Sequence, residues 1–288
     1  MKFNVSIREQ IACIWEVCSR KVGNVHPGAS FADTTFTDFL LSAAAMDVTF
    51  NCQNYGGVGP AIYLTVEDNK RLVGKNTNLG ITLLLAPLCA AGMPFRSMLP
   101  SILNSLTVAD AVQVYHAIRL ANPGGLGDAP DQDVRSEPTV TLLEAMKLAA
   151  DHDLIARQYA NGFADVFDFG VPAFLQGLEQ FGCVEAAVID CQLQWLSAYP
   201  DSLIARKNGP AIAEDVRQRA VEVLRLGGLS TTEGRAAGFA LDRHLRSDGN
   251  RLNPGTTADL ITACLFVALR ENKVAPSAPF RWNVPDWL

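Results

Sequence analysis

Glycine-rich phosphate loops are missing from this 288-residue chain. It has neither a G-x-x-x-x-G-K-[ST] run nor a G-x-G-x-x-G following a strand, so P-loop and Rossmann readings have no support. No C-x-x-C or His-paired spacing occurs among the seven cysteines (13, 18, 52, 89, 183, 191 and 264), and their number is odd. That excludes a zinc ribbon and argues against a disulfide frame; Cys13, Cys89 and Cys264 lie in apolar stretches as small hydrophobes. MKFNVSIREQ lacks the apolar core of a signal peptide, so a reduced, cytoplasmic protein is expected. Basic charge is scarce: the formal net charge is −6 and the pI about 5.3, which leaves no field for a nucleic-acid backbone.

A membrane-length apolar run is also absent. The apolar stretch Leu79 to Phe95 carries no charge but spans only 17 residues, is interrupted by Pro87, Gly92 and Pro94, and is flanked by Lys75 and Arg96. A spanning helix needs about 20 apolar residues, so this stretch reads as a buried helix and no membrane partner is expected. Period-2 alternation is missing too, which leaves strands marginal.

What is present is helical spacing. Ile7, Ile11, Trp15 and Cys18 form one stripe, Ile62, Val66 and Val73 a second, and Val108, Ala111, Val112, Tyr115 and Ile118 a third. Helix-start signals stand at Thr35/Asp38, Thr107/Asp110, Thr141/Glu144 and Ser230/Glu233. With 49% apolar and 19% charged residues, the chain is expected to form a single compact all-α domain of ten or more helices. Two central apolar helices are expected within it, one from Leu79 and one over 255–270. Thr141 to Phe167 reads as one long helix bent at Gly162. Residues 1–273 form the domain in this reading. The Pro/aromatic tail 274–288, with Phe280, Trp282 and Trp287, packs on its own chain or on a partner subunit as in a homodimer, or frays. The longest loop candidate is 121–138.

Chemistry concentrates at two polar turns, KNTNLG before Ile81 and NPGTTAD before Leu260. Each opens an apolar helix, and a helix N-terminus presents free N–H groups and partial positive charge to phosphate. Simple capping by Asn76–Asn78 and by Thr256 or Thr257 is the plainer alternative. Arg20, Lys21 and His26 precede Asp33 and Asp38; Arg206 and Lys207 follow Asp201; Asp153 and Arg157 have the spacing of a surface i,i+4 pair. His116 reads as structural. Carboxylates without His or Cys partners favour Mg²⁺ and a bound phosphate over zinc, so a small nucleotide is the expected ligand.

The ordered set KVGNVHPG with following acids, NTNLG, DSLIARKNG and NPGTTADLI resembles the triphosphoribosyl-dephospho-CoA synthases, from about Trp15 to Ala268. The resemblance implies an all-α pentosyl transferase that joins ATP, as substrate, to a hydroxyl of 3′-dephospho-CoA and releases adenine, with Mg²⁺ as the expected cofactor. It places Asp33, Asp38 and Asp259 in catalysis, with Asp33 and Asp38 also as Mg²⁺ ligands. It assigns phosphate and nucleotide contacts to Arg20, Lys21, Asn76, Thr77, Asn78, Gly80, Arg206, Lys207, Gly255, Thr256 and Thr257. Departures occur at Val22, where the family has proline, at Asn78 and Leu79, which stand for His and Lys, and in NPGTTADL, which lacks a second glycine. These are similar to an archaeal and methylotroph branch. They leave two alternatives open: a related transferase in a one-carbon carrier (methanopterin-type) pathway, and a non-catalytic helical nucleotide-binding protein.

Overall fold

Local rules fix several helix starts. Thr35, Thr107 and Thr141 each accept a hydrogen bond from the N–H three residues on, and Asp38, Asp110 and Glu144 reach back to the cap residue's own N–H. Such a closed capping box satisfies two otherwise orphaned donors. The computed structural model describes residues 5–126, 131–284 and 287. In chain order its helices are α1 (Val5–Cys18), α2 (Phe36–Ala44), α3 (Val48–Asn54), α4 (Val58–Val73), α5 (Leu79–Ala91), α6 (Phe95–Asn104), α7 (Val108–Ala121) and α8 (Leu142–Ala149). They continue as α9 (Leu154–Asn161), a π-turn (Val166–Gly170), α10 (Val171–Phe181), α11 (Val184–Ala198), α12 (Ser202–Asn208), α13 (Pro210–Arg225), α14 (Thr232–Leu245) and α15 (Gly255–Arg270). Among the described residues the fold is all-α, with no strand beyond an isolated bridge between His26 and Ala29.

The expected long helix over Thr141–Phe167 is three pieces. Asp153 ends the first by capping the second, its carboxylate accepting from the N–H groups of Ile155 and Ala156. Gly162, at φ 68°, terminates α9 in the left-handed region rather than bending it. The Asp153–Arg157 pair does not form either: Arg157 bonds Asp165 at 2.8 Å, and Asp153 pairs with Arg206 instead. The cap of α14 is Thr231, one residue past the expected Ser230.

Helices α5 and α15 lie against each other in the main core, as their uninterrupted apolar sequences require. No single helix among the described residues is long and apolar enough to cross a membrane, and α5 with α6 bends by 107°. A third helix, α11, is buried on nearly every face and joins this core to a second one under α13 and α14. Its polar residues obscure it in the sequence, because Glu185 and Gln192 sit inside at 0% exposure.

Pro87 stands inside α5 and has no N–H for the carbonyl of Leu83 four residues back. The buried hydroxyl of Tyr159 on α9 donates to that carbonyl at 2.6 Å. The tail also packs on its own chain. Carbonyls of Pro279 and Phe280 accept from the N–H groups of Val184 and Glu185 at the start of α11. Trp287 is 2% exposed against Gly238, where a Cβ would come within 2.6 Å of the indole.

Removing the Tyr159 hydroxyl strands a buried carbonyl, so Tyr159→Phe is expected to cost about 1–3 kcal/mol in urea unfolding. In a Pro87→Ala background the N–H returns and the same substitution should cost well under half as much. Equal costs in both backgrounds would refute the pairing.

Candidate active site

A cleft of about 1170 Å³ opens where α5, α7, α8, α9, α12 and α15 meet. Ten of the sequence-predicted residues line it: Asp33, Asn76, Thr77, Asn78, Gly80, Arg206, Lys207, Gly255, Thr256 and Asp259. Four others do not.

Arg20 is the clearest exception. A guanidinium has five N–H donors, and all are taken: two by the carboxylate of Glu185 at 2.7 and 3.2 Å, three by the carbonyls of Trp282, Val284 and Trp287. Lys21, wholly buried, directs its ammonium to the carbonyls of Glu16 and Ser19 and to the Glu16 carboxylate at 2.9 Å. Neither cation has a donor left for phosphate; both organise the interior. Asp38 is held by its own capping box and by Lys75 at 2.7 Å. The Lys75 bond holds its carboxyl below the usual range. Thr257 gives both its N–H and its hydroxyl to Asp201 at 2.8 Å.

That last contact changes the reading of the NPGTTAD turn. Asp201, 1% exposed, caps α12 through Leu203 and Ile204 with one oxygen and enters the first turn of α15 with the other. An anion of the chain itself therefore occupies the N-terminus of α15. Gly255 serves packing there, since a Cβ would approach Leu203 to 2.7 Å.

The N-terminus of α5 is different. Asn76 accepts from the Leu79 N–H at 3.2 Å, and Thr77 is tied to Asn69 of α4. Asn78, the cap residue, makes no side-chain cap bond. Its amide nitrogen and oxygen are both buried without a partner, on the cleft wall, at 2% residue exposure. Buried polar atoms are nearly always satisfied, and an unpaired one costs about 1–3 kcal/mol. At the second residue of α5, Gly80 leaves room for Asp259 of α15: a Cβ there would lie 1.9 Å from its Oδ2. The Asp259 carboxyl is pushed well above its ordinary value by burial first, then by Glu16, Asp201 and Asp153. Burial likewise raises Glu16, against the opposing Lys21.

Acidic side chains outnumber basic ones on the walls. Glu16, Asp33, Asp131, Asp133, Asp153 and Asp259 face Lys75, Arg206 and Lys207. Arg206 is engaged by Asp153, and Lys207 bonds the Asn250 carbonyl at 3.2 Å, with burial lowering its ammonium pKa. The turn after α7 closes over these two cations: a Cβ on Gly124 would touch Lys207 Cε at 3.1 Å, and one on Gly125 the Arg206 backbone at 3.0 Å. Among the described residues no group of three His, Cys, Asp or Glu could hold a metal ion. Asp33 and Asp38 do not combine into a resident Mg²⁺ site, because Lys75 occupies Asp38 and only Asp33 reaches the cleft. Sequence reading missed Glu16 and Asn78's isolation, and paired Asp153 with Arg157 instead of placing it on the cleft; only Arg20 and Lys21, four and five residues on, hinted at Glu16.

Asn78→Leu, close in shape, is expected to raise the stability of the ligand-free protein by about 1 kcal/mol while weakening nucleotide binding at least tenfold. A loss of stability in urea titration would assign Asn78 a structural role. For Asp259 the folded carboxyl holds its proton to higher pH than the unfolded one, whose ordinary value is 3.8. Its stabilising contribution is full below the unfolded value and is lost as pH rises through the folded one. The stability of Asp259→Asn relative to wild type should therefore grow as pH rises above about 4. A pH-independent difference would contradict a protonated Asp259.

The model of the ATP:dephospho-CoA triphosphoribosyl transferase family matches residues 5–277. A Pseudomonas putida protein assigned as a 2-(5''-triphosphoribosyl)-3'-dephosphocoenzyme-A synthase is 33% identical over 39% of this chain and 40% of its own length. One from Pseudomonas syringae pv. syringae with the same assignment is 31% identical over 42% and 41%. The chain thus aligns with about two fifths of the length of these curated relatives. A crystal structure from Archaeoglobus fulgidus, assigned to triphosphoribosyl-dephospho-CoA synthase, superposes with a TM-score of 0.63 at 28% identity, covering 81% of this chain and 98% of that one. Neither a one-carbon carrier transferase nor a non-catalytic binder is favoured by these matches. With its all-α cleft and the family match running almost end to end, the chain belongs to the ATP:dephospho-CoA triphosphoribosyl transferase family.

Proposed function

We propose that this protein transfers the triphosphoribosyl group of ATP to a hydroxyl of 3′-dephospho-CoA and releases adenine. The observation that carries the reading is the open α5 N-terminus, whose unpaired Asn78 amide lines the same large cleft as Asp259, a carboxyl that burial pushes well above its ordinary value. The acceptor hydroxyl oxygen forms a bond to C1′ of the ATP ribose, and the bond from C1′ to adenine N9 breaks. The hydroxyl proton is lost to a base, and adenine leaves neutral after gaining a proton.

Asp259 is the group placed to supply that proton, since burial keeps its carboxyl protonated where an exposed aspartate would have ionised. Asn78 offers one donor and one acceptor, the pair that an adenine edge or a ribose hydroxyl requires. Asp33, bonded by Asn250 at 2.6 Å and Thr34 at 3.2 Å at the cleft mouth, is assigned as the base. The first-turn N–H groups of α5, with Lys75 and Lys207, are assigned to the triphosphate; Asn76, Thr77 and Thr256 shape the walls around it.

An acid-rich cleft repels a free polyphosphate, so Mg²⁺ fits this reading as the counterion that ATP brings, with Asp33 the carboxylate available to it. Transition-state charge at C1′ is positive, and the same carboxylates then favour the reaction rather than oppose it.

The test is direct. Incubated with ATP, Mg²⁺ and 3′-dephospho-CoA, the protein is expected to release one adenine per acceptor consumed, read by chromatography. Asp259→Asn should lower turnover by at least about 100-fold, within the range ascribed to positioned acid catalysis. Absence of adenine with the wild-type protein would overturn the proposal.

A further inference from the structure

The cleft is larger than one ligand needs. Its volume of about 1170 Å³ exceeds the roughly 300–1,000 Å³ of a typical small-molecule site. Its wall also changes character along its length. Residues 75–80, α12 and 250–256 make a polar end, whereas α7, α8 and the turn after α7 supply Val114, Ile118, Leu126, Leu142, Met146 and Leu148. Val114 and Leu142 are fully buried and form a floor. Leu126 and Leu148 are 41% and 55% exposed and form a rim. Tyr115 does not plug this limb, because its hydroxyl is committed to the Gln132 carbonyl at 2.6 Å. Large apolar side chains left open on the inner rim of a cleft mark surface that a ligand covers. Asn122 and Asp131, in the segments that follow α7, line the same cleft and offer polar partners to a chain that is not pure hydrocarbon.

We infer that this apolar limb seats the pantetheine arm of the acceptor, an inference that rests on the acceptor being 3′-dephospho-CoA as proposed above. Of the two substrates only the acceptor has a matching part: a narrow arm of methylenes and paired methyl groups, interrupted by two amides. ATP has nothing apolar of that length to place there. The polar end is then free for the two nucleotide portions, which brings the acceptor's ribose and the donor's C1′ together at the junction of the two limbs, where α5 begins.

Calorimetric titration distinguishes the cases, with ADP as the probe that lacks the arm. Wild-type protein is expected to bind 3′-dephospho-CoA at least tenfold more tightly than ADP. The double variant Leu126→Asp/Leu148→Asp, which changes only rim positions, should abolish that advantage. If the aspartates lower the thermal midpoint, Leu126→Ser/Leu148→Ser gives the same reading. Equal affinities in the wild type, or an advantage that survives both double variants, would overturn the subsite. Adenine release is followed in parallel. Arm-dependent binding without adenine upholds the subsite and counts against the transfer reaction. Adenine release with ADP and 3′-dephospho-CoA serving equally as acceptors leaves the transfer standing and removes the subsite.

Discussion

One buried carboxylate sets the frame of the cleft. Asp201 accepts from two N–H groups of α12 and from the N–H and hydroxyl of Thr257 on α15, so two helix N-termini share a single anion. Taking a carboxylate out of water is costly unless its lone pairs are filled, and here they are. The consequence is geometric. Helix α12 is held so that Arg206 and Lys207 face the turn after α7, and α15 is held so that Asp259 meets Gly80 of α5. The same carboxylate that fixes the wall also raises the pKa of Asp259 through like charge. Scaffold and reactivity are thus coupled through one residue.

Two kinds of buried polar group coexist in this protein, and satisfaction separates them. Arg20 with Glu185, and Lys21 with Glu16, have their donors filled, which is what permits charges to sit in the core. Asn78 is equally buried and has nothing. Other buried atoms, such as the Thr82 hydroxyl and Arg270 Nε, are also unpaired, but among the described residues only Asn78 and Arg206 bring such an atom to the cleft wall. An unpaired amide at that position is what gives Asn78 its place in the proposed nucleotide site.

Much of the fold was legible because its signals are local. The capping boxes at Thr35, Thr107 and Thr141 need only a hydroxyl and an acid three residues apart, and the apolar runs of α5 and α15 admit no exposed face. What failed was non-local. Nothing near Arg20 reveals that Glu185, 165 residues away, will take its guanidinium, and nothing in NPGTTAD reveals that Asp201 will fill the turn. Spacing likewise proposes a pair between Asp153 and Arg157, yet a cap and a nearer tertiary partner win. The motifs selected segments that the fold brings together: ten of the chosen residues share one cleft. They could not separate residues that face the cleft from those that brace it, because both kinds are polar residues on the same short turns.

The difference between the two N-termini follows from the same reasoning and orients the site. Sequence makes them look equivalent, as polar glycine-containing starts of apolar helices. In the fold α15 is closed by Asp201 and α5 is open beside Asn78. A second anion at α15 would meet Asp201 head on, whereas at α5 it meets helix dipole and free N–H groups. The proposed triphosphate position at α5 rests on this difference. Asp259, the proposed acid, packs against Gly80 in the first turn of α5. The cleft is asymmetric as a result: one helix start closed by Asp201, the other open beside Asn78, and an apolar limb along α7 and α8.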